Sequence, residues 1–559
     1  MVVDVMEATS CPRIGLLWGD FPWDIPPPKV GKLLSSGVVG RNVARALRSL
    51  GMMVPYTGPS HTMEDENLVS FLRSIDVLWA DLYPLSARAV RLRHELDLPF
   101  QIILYAGGTL TKAAEAMLFP WQHFLRPGDN LLLTSQADIA IWHQLVDWSR
   151  LREWVVPLPV DETVFRPDIT TDRATIRARH GLPLEVPLLL YVGRLNIQKN
   201  LHTLLRLLAR VRQQVPDAHL CLVGETDDIK LAEFGVPNTG YVEYLHHLAS
   251  ELDIADAITF VEPQFGRELA DLYRSGDVVV NASFYHRENF GLSQAEAQAC
   301  GIPVVCSDWG GFRDVIRQGE TGFLMDTVIT RHGVRVDWAR GARYVTLLLR
   351  NETLRRHMGQ HAAVWARGEF SIPTFASRLQ QTLQVPALHA GGREGPPYEP
   401  SDFARRYDAV KVAGGWYQAG ANDKPLFDWK SYGLYEEMIR PYATRLARDL
   451  PLSSLAPTQA PYILWAVHVS GDVATDLDPV WQHERNLLPI ERDTLLEVDG
   501  CKSLLQIADA LSLSIDAVSA AVYSLYLDGL ILFDRPTASA CLRREPSRGR
   551  AWTAGGRAP

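Results

Sequence analysis

Cysteine is sparse and unpaired in this chain. Cys11, Cys221, Cys300, Cys306, Cys501 and Cys541 are scattered over 559 residues with no C-x-x-C pair. That pattern excludes the common zinc motifs and a disulfide framework. No cluster of His, Cys, Asp or Glu has metal-ligand spacing either, so no metal and no cofactor are expected. There is no run of about 18 apolar residues, so nothing reads as a membrane-spanning helix. The start, MVVDVMEATSCPR, lacks the charged-then-apolar order of a secretory signal. The cytoplasm is the expected location. Positive charge is not in surplus: the formal net charge is -9. Phosphate backbones are bound by an excess of Lys and Arg, so nucleic acid is not an expected partner.

What is present is apolar patterning. Hydrophobic residues make up 47% of the chain, enough to fill several cores, and the length suits about three domains. Runs such as "RIGLLW" (13–18), "FQIILYAG" (100–107) and "NLLLTS" (130–135) alternate with helical patterns such as "VGRNVARALRSLG" (39–51). The alternation restarts at "PLLLYVGR" (187–194) and continues through "AHLCLVGE", "AITFVE", "DVVVNAS" and "IPVVCSD". Short buried strands alternating with helices predict an α/β fold with two doubly wound, Rossmann-like lobes. The expected division is a first lobe over 11–165, rejoined by a helix over 370–386, and a second over 166–369. A Gly/Pro-rich linker follows at 385–400, then an aromatic-rich region of unassigned fold at 401–485. Three helical patterns and an apolar strand over 486–536 outline a small winged-helix-like module. The Gly/Arg-rich tail 541–559 reads as disordered.

Two stretches carry chemistry. In "LLLYVGRLNIQKN" a buried strand ends and a helix begins near Asn200, the place where open α/β sheets bind ligands. Gly193 permits close backbone approach there, and Arg194 and Lys199 bring two positive charges suited to a diphosphate. A merely solvated loop is the alternative. In "HRENFGLSQAEAQACGIPVV" (286–305), Glu288 precedes a helix that starts near Gly291. The free N–H groups at Gly291 and Leu292 offer an anion site. Glu288 can accept from sugar hydroxyls and Glu296 from a ribose diol; two glutamates on a helix can also serve only solubility.

"GRLNIQK", "LVGE", "YRSGDVVVNAS", "ENFGLSQAEAQACGIPVVCSDWGGFRDVI" and "GETGFLM" occur in this order. Together they resemble the C-terminal lobe of retaining glycosyltransferases of family 4, which have the GT-B fold. Glu288 and Glu296 match that family's E-x7-E pair, Arg194 and Lys199 its diphosphate-binding pair, and "VDETVFRP" the stretch between lobes. The resemblance covers about 158–326 well and 11–157 weakly. It implies an enzyme that transfers a sugar from a nucleotide-diphosphate sugar, without metal and with retention. Arg194 and Lys199 would stabilise the leaving diphosphate and Glu288 would hold the donor sugar. Gly193, Gly224, Asn289, Phe290, Gly291 and Leu292 would line the nucleotide-sugar site, Glu296 would hold the ribose, and Gly37 of "SSGVVGRN" would approach the phosphates. The chain departs from the pattern at Ala106, where members often carry His. Either another residue assists the acceptor, or the leaving phosphate does. A nucleotide-sugar epimerase or phosphorylase on the same fold, and a degenerate binding protein, are the rival readings.

The acceptor is not legible: small molecule, lipid, glycan and peptide all remain open. Lys29, Lys32, Arg41, Arg45, Arg48, Arg88, Arg91 and Arg93 fit either an anionic membrane face or solvated helices. Residues 490–534 hold two basic side chains, Arg492 and Lys502, against eight acidic ones, which disfavours DNA. That segment looks like the winged-helix modules that bind leader peptides, similar to the pyrroloquinoline-quinone biosynthesis chaperone. A plain interaction domain is the other reading. Either way a separable module with a peptide or protein partner is expected, with "LILF" (530–533) as the edge strand to receive it.

Overall fold

The computed structural model describes residues 12–17, 35–55, 65–81, 84–106, 124–145, 151–168, 170, 172–226, 240–285, 288–383, 439–463, 467–481 and 483–533. The chain divides into two units, residues 1–165 with 365–409 and residues 166–364 with 410–559.

The first unit is built on β1 (Arg13–Leu17), β2 (Met52–Pro55), β3 (Val77–Asp81), β4 (Gln101–Tyr105), β5 (Asn130–Leu133) and β6 (Arg152–Val155). All are parallel, in the order β2-β1-β3-β4-β5-β6. Helices cover parallel sheets on both faces, which is why "QIILY" and "NLLL" are apolar throughout and buried at every position. The helix Ile372–Leu383 returns to this unit and packs on the helix Ser35–Leu50. Gln101 and Asn130 side-chain amides each donate to the Thr382 carbonyl at 3.4 Å. Gly37 lies in the first turn of Ser35–Leu50. Ala106 follows β4, buried, with its N–H on the Leu132 carbonyl at 2.8 Å.

One of the candidate lipid-facing charges is structural instead. Arg93 is fully buried and makes two hydrogen bonds to Asp129, at 2.8 and 2.5 Å. It ties the helix Pro84–Glu95 to the start of β5 and cannot meet a membrane. Arg45 pairs with Asp161, and Arg91 with Glu95 at 2.6 Å. Lys29 and Lys32 lie outside the described residues. Among the described residues no single helix is long and apolar enough to cross a membrane.

The second unit holds β7 (Leu188–Val192), β8 (His219–Val223), β9 (Ile258–Val261), β10 (Val278–Asn281), β11 (Val304–Ser307) and β12 (Gly322–Met325), all parallel, in the order β12-β11-β10-β7-β8-β9. The chain runs outward from β7 to β9, then returns to lay β10 on the other side of β7. At such a reversal the two loops leaving the central strands diverge and open a crevice beyond their carboxyl ends.

Beyond β12 the structure departs from the expected separate module. An antiparallel hairpin, β13 (Thr327–Thr330) and β14 (Gly333–Val336), leaves the lobe, and β15 (Arg445–Leu446) adds to β13 in parallel. There follow β16 (Pro461–Ile463), the antiparallel sheet of β17 (Val467–Ser470), β18 (Val473–Asp476) and β19 (His483–Asn486), three helices (Pro489–Glu497, Leu504–Leu511, Ile515–Leu527) and β20 (Ile531–Phe533). The helices and last strand fall where the apolar pattern places them. They are nonetheless part of the second unit. Val328 of the hairpin shares one core with Tyr462, Leu495, Val522 and Ile531. Arg335, fully buried, bonds Asp476 at 2.5 Å and the Gly529 carbonyl at 2.9 Å. Tyr462 donates to Asp337 at 2.6 Å. The edge at 530–533 also differs from expectation: β20 is buried and already paired with β16. The linker 385–400, residues 401–438 and the tail 541–559 lie outside the described residues.

Candidate functional site

The loop after β7 is held by backbone. Gly193 N–H donates to the Val223 carbonyl at 3.0 Å and Leu195 N–H to the Glu225 carbonyl at 2.8 Å, so the β7–β8 ladder runs on past the strands. A Cβ at Gly224 would lie 1.9 Å from the Gly193 carbonyl oxygen. Only glycine lets the two loops approach so closely. A single 3-10 turn, Ile197–Lys199, ends on Asn200 in the left-handed region, φ 56°. Asn200 Nδ2 donates to the Ala282 carbonyl at 2.8 Å, and its Oδ1 accepts from Thr203 Oγ1 at 2.6 Å. The loop after β7 is thereby pinned to the end of β10, which brings Lys199 to the loop after β10. Arg194 Nη2 is 3.4 Å from Gln198 Oε1, and the Arg194 carbonyl accepts from Tyr191 OH at 3.0 Å.

Lys199 Nζ forms an ion pair with Glu288 Oε1. Ser283 Oγ donates to the same carboxylate oxygen at 2.8 Å and lies 3.1 Å from the Gln198 carbonyl. The Glu288 backbone is fixed on both sides: its N–H donates to Tyr285 O at 3.0 Å, and its carbonyl accepts from Gly311 N–H at 2.8 Å. Asn289 is half-buried and Phe290 buried. Gly291 then caps the helix Leu292–Ala299 with no side-chain hydrogen bond. The first turn of a helix leaves N–H groups without intrahelical acceptors, and the glycine at this cap has no side chain to take them.

Glu296 sits inside that helix. Burial pushes its carboxyl up to about 8, while the hydrogen bond donated by Tyr273 OH, at 3.4 Å, pulls the other way. A buried carboxyl that keeps its proton near neutrality is ready to exchange it for hydrogen bonds from an incoming polar group.

The structure therefore brings together Lys199, Glu288 and the Gly291–Leu292 helix start, with Arg194 and Gly193 at the end of β7 and Gly224 at the end of β8. Gly37 belongs to the first unit. The sequence motifs passed over Ser283, Asn200 and the turn Gly310–Gly311. A Cβ at Gly310, where φ is +50°, would lie 2.4 Å from the Glu288 carbonyl oxygen. The "WGG" string was visible, but nothing local says which loop it touches. Among the described residues no three His, Cys, Asp or Glu side chains are grouped as metal ligands would be.

Residues 172–365 match the family model described as Glycosyl transferases group 1. A D-inositol 3-phosphate glycosyltransferase from Stackebrandtia nassauensis is 36% identical over 213 residues, 37% of this chain and 44% of the relative. The enzyme of the same name from Rhodococcus erythropolis is 31% identical over 320 residues, 57% of this chain and 66% of the relative. The chain thus spans between about half and two thirds of the length of these relatives. A glycosyltransferase structure from Rickettsia africae superposes with a TM-score of 0.50 at 16% identity, over 67% of this chain and 99% of that one. It has the same two-lobed fold.

Proposed function

We propose that the protein is a retaining glycosyltransferase that takes a sugar from a nucleotide-diphosphate donor without a metal ion. One observation carries the reading. Arg194 and Lys199 leave β7, and Glu288 and the uncapped helix start leave β10, so all flank the one strand-order reversal in the second sheet. The family match over 172–365 covers the same residues.

Lys199 and Glu288 pair with and neutralise each other. A donor would divide the pair, its diphosphate taking Lys199 and Arg194 and its sugar hydroxyls taking Glu288. As the sugar–phosphate bond breaks, negative charge grows on the phosphate oxygen, facing two fixed cations and the N–H groups at Gly291 and Leu292. Fixed donors aimed at developing charge need no reorganisation, and this is commonly the largest catalytic contribution. The acceptor hydroxyl forms the new bond on the face the phosphate leaves, and its proton passes to that leaving phosphate. This route needs no imidazole at Ala106. Glu296 would take the ribose hydroxyls. The relatives are D-inositol 3-phosphate glycosyltransferases, which makes a phosphorylated cyclitol a first acceptor to try. A peptide or protein acceptor recognised by residues 439–533 is the second, because Leu488, Leu496, Leu505 and Leu513 stand exposed there among acidic side chains.

A thermal-shift screen of the uridine, guanosine, adenosine and thymidine diphosphates tests the donor reading, followed by hydrolysis of their glucose and N-acetylglucosamine conjugates with and without EDTA. One diphosphate should raise the melting temperature, since a ligand at a hundred times its Kd stabilises by about 2.7 kcal/mol. Its sugar conjugate should be hydrolysed slowly and EDTA should change little. Absence of binding by all four diphosphates would overturn the proposal.

A further inference from the structure

We infer that the C-terminal region positions the donor loop, and that Tyr442 is its principal positioning residue. The inference rests on the donor reading above and goes beyond it, because it gives residues 439–481 a part in the reaction.

Residues 284–285 and 288–292 rest on that region at both ends. At the far end, the turn Trp309–Gly311 is clamped between the loop and the segment 440–444. Gly310 N–H donates to the Tyr442 carbonyl at 2.9 Å, and Gly311 N–H donates to the Glu288 carbonyl at 2.8 Å. A Cβ at Gly310 would lie 2.2 Å from the Tyr442 ring and 2.4 Å from the Glu288 carbonyl oxygen, so any side chain there would collide with both. A Cβ at Gly311 would lie 2.2 Å from the Asn289 carbonyl. Tyr442 is buried with its ring 5.8 Å from that of Trp309, whose Nε1 donates to the Tyr285 carbonyl at 2.9 Å. Thr444 Oγ1 donates to Asp308 at 2.7 Å, which fixes the segment beside the same turn.

At the near end, Phe284 packs on Trp481, ring centroids 5.4 Å apart, and Trp481 is fully buried. Trp481 in turn fills the place of a side chain at Gly333 in the β13–β14 hairpin, where a Cβ would lie 2.2 Å from the indole. Two aromatic side chains from the C-terminal region therefore bracket the short segment that carries Glu288. Trp481 acts through the Phe284 ring and Tyr442 through the Trp309–Gly311 turn. A group shifted by about 1 Å can lose on the order of 100-fold in rate.

The test uses full-length protein with Tyr442→Phe, Tyr442→Leu and Tyr442→Ala. Tyr442→Phe keeps the ring and the main-chain carbonyl of the contacts named above, so it should retain more of the wild-type turnover than Tyr442→Leu or Tyr442→Ala. Tyr442→Leu and Tyr442→Ala should lower kcat for donor hydrolysis tenfold to a hundredfold while KM changes less than threefold. If Tyr442→Ala does not fold, Tyr442→Leu is read alone. Hydrogen–deuterium exchange supplies a readout that needs no activity: amides of 285–296 should exchange faster in Tyr442→Leu, and those of β7 and β8 should not. Folded variants with wild-type kcat and unchanged exchange over 285–296 would overturn the inference. Failure of the donor reading looks different, because the wild type would then bind none of the four diphosphates while the exchange experiment still reports on the clamp.

Discussion

Two ion pairs in the second unit, one part-buried and one sealed, use the same chemistry in different surroundings. Lys199 and Glu288 lie 89 residues apart, and Arg335 and Asp476 lie 141 apart. Each pair joins elements that the sequence keeps separate. Their surroundings differ. The side chains of Lys199 and Glu288 retain 16% and 10% exposure at the mouths of two strands. Those of Arg335 and Asp476 retain 0% and 1%. Arg335 has a backbone carbonyl and a second carboxylate, Asp478, 3.7 Å away, and Asp478 accepts from the N–H groups of Val480 and Trp481 at 2.8 and 3.0 Å. The sealed pair has its partners supplied by fixed main chain and cannot trade them. In the proposed function, a donor that offers both a phosphate and hydroxyls divides the pair at the strand ends. What separates the two pairs is access and the number of fixed partners.

The largest effect is expected at the sealed pair. Removing one member of a buried ion pair strands the other, at about 3–5 kcal/mol. Arg335→Ala should lose stability of that size in urea unfolding, and Arg335→Met much less than Arg335→Ala. Truncation after residue 388 removes Asp476, Gly529 and Tyr462 together, and should leave no soluble second lobe. A soluble truncated protein that still binds nucleotide, or an Arg335→Ala loss under about 1 kcal/mol, would show that the C-terminal region is separable after all.

At the open pair the expected effect is on rate. Lys199→Ala or Arg194→Ala should cut donor turnover on the order of 10²–10³-fold, the usual effect of removing one donor to a developing oxyanion. Melting should move little, because neither side chain is sealed into a core. Near-wild-type turnover in both variants would refute the assignment of the diphosphate site.

The same contrast explains how much could be read from sequence. Both sheets were legible, since parallel strands covered on both faces are continuous apolar runs such as "LLLYV" and "NLLL". The place of the residues proposed for the donor site was legible because 193–199 and 288–296 are contiguous strings beside strand ends. Arg335 and Arg93 were not. Each reads locally as a surface charge and is buried only because a carboxylate arrives from far along the chain. The attachment of the C-terminal region was hidden for a related reason. It is made by a two-residue strand, Arg445–Leu446, and by single aromatics such as Tyr442 and Trp481, none of which generates a period. A Gly/Pro-rich stretch then suggested separation where the structure shows a shared core. Ser283 carried no signal beyond its place at the end of a strand.

The smallest effect concerns Glu296, which sits between the two extremes: buried like Arg335, yet placed next to the helix start that would meet a nucleotide. Burial pushes its carboxyl up to about 8, above the ordinary 4.5. Between those values the folded protein holds a proton that the unfolded chain has released, so this group's contribution to stability falls as pH rises through the window. Glu296→Gln cannot lose a proton there. Urea unfolding at pH 5, 7 and 8.5 should therefore show a steeper decline in the wild type than in Glu296→Gln. Nucleotide should oppose the decline, because ribose hydroxyls donate to the ionised carboxylate and favour release of the proton. Calorimetry of nucleoside diphosphate binding in two buffers of different ionisation enthalpy should register that release near pH 7 in the wild type and none in Glu296→Gln. Parallel pH profiles for the two proteins, together with equal proton release, would remove Glu296 from the ribose site and leave it a buried structural carboxyl.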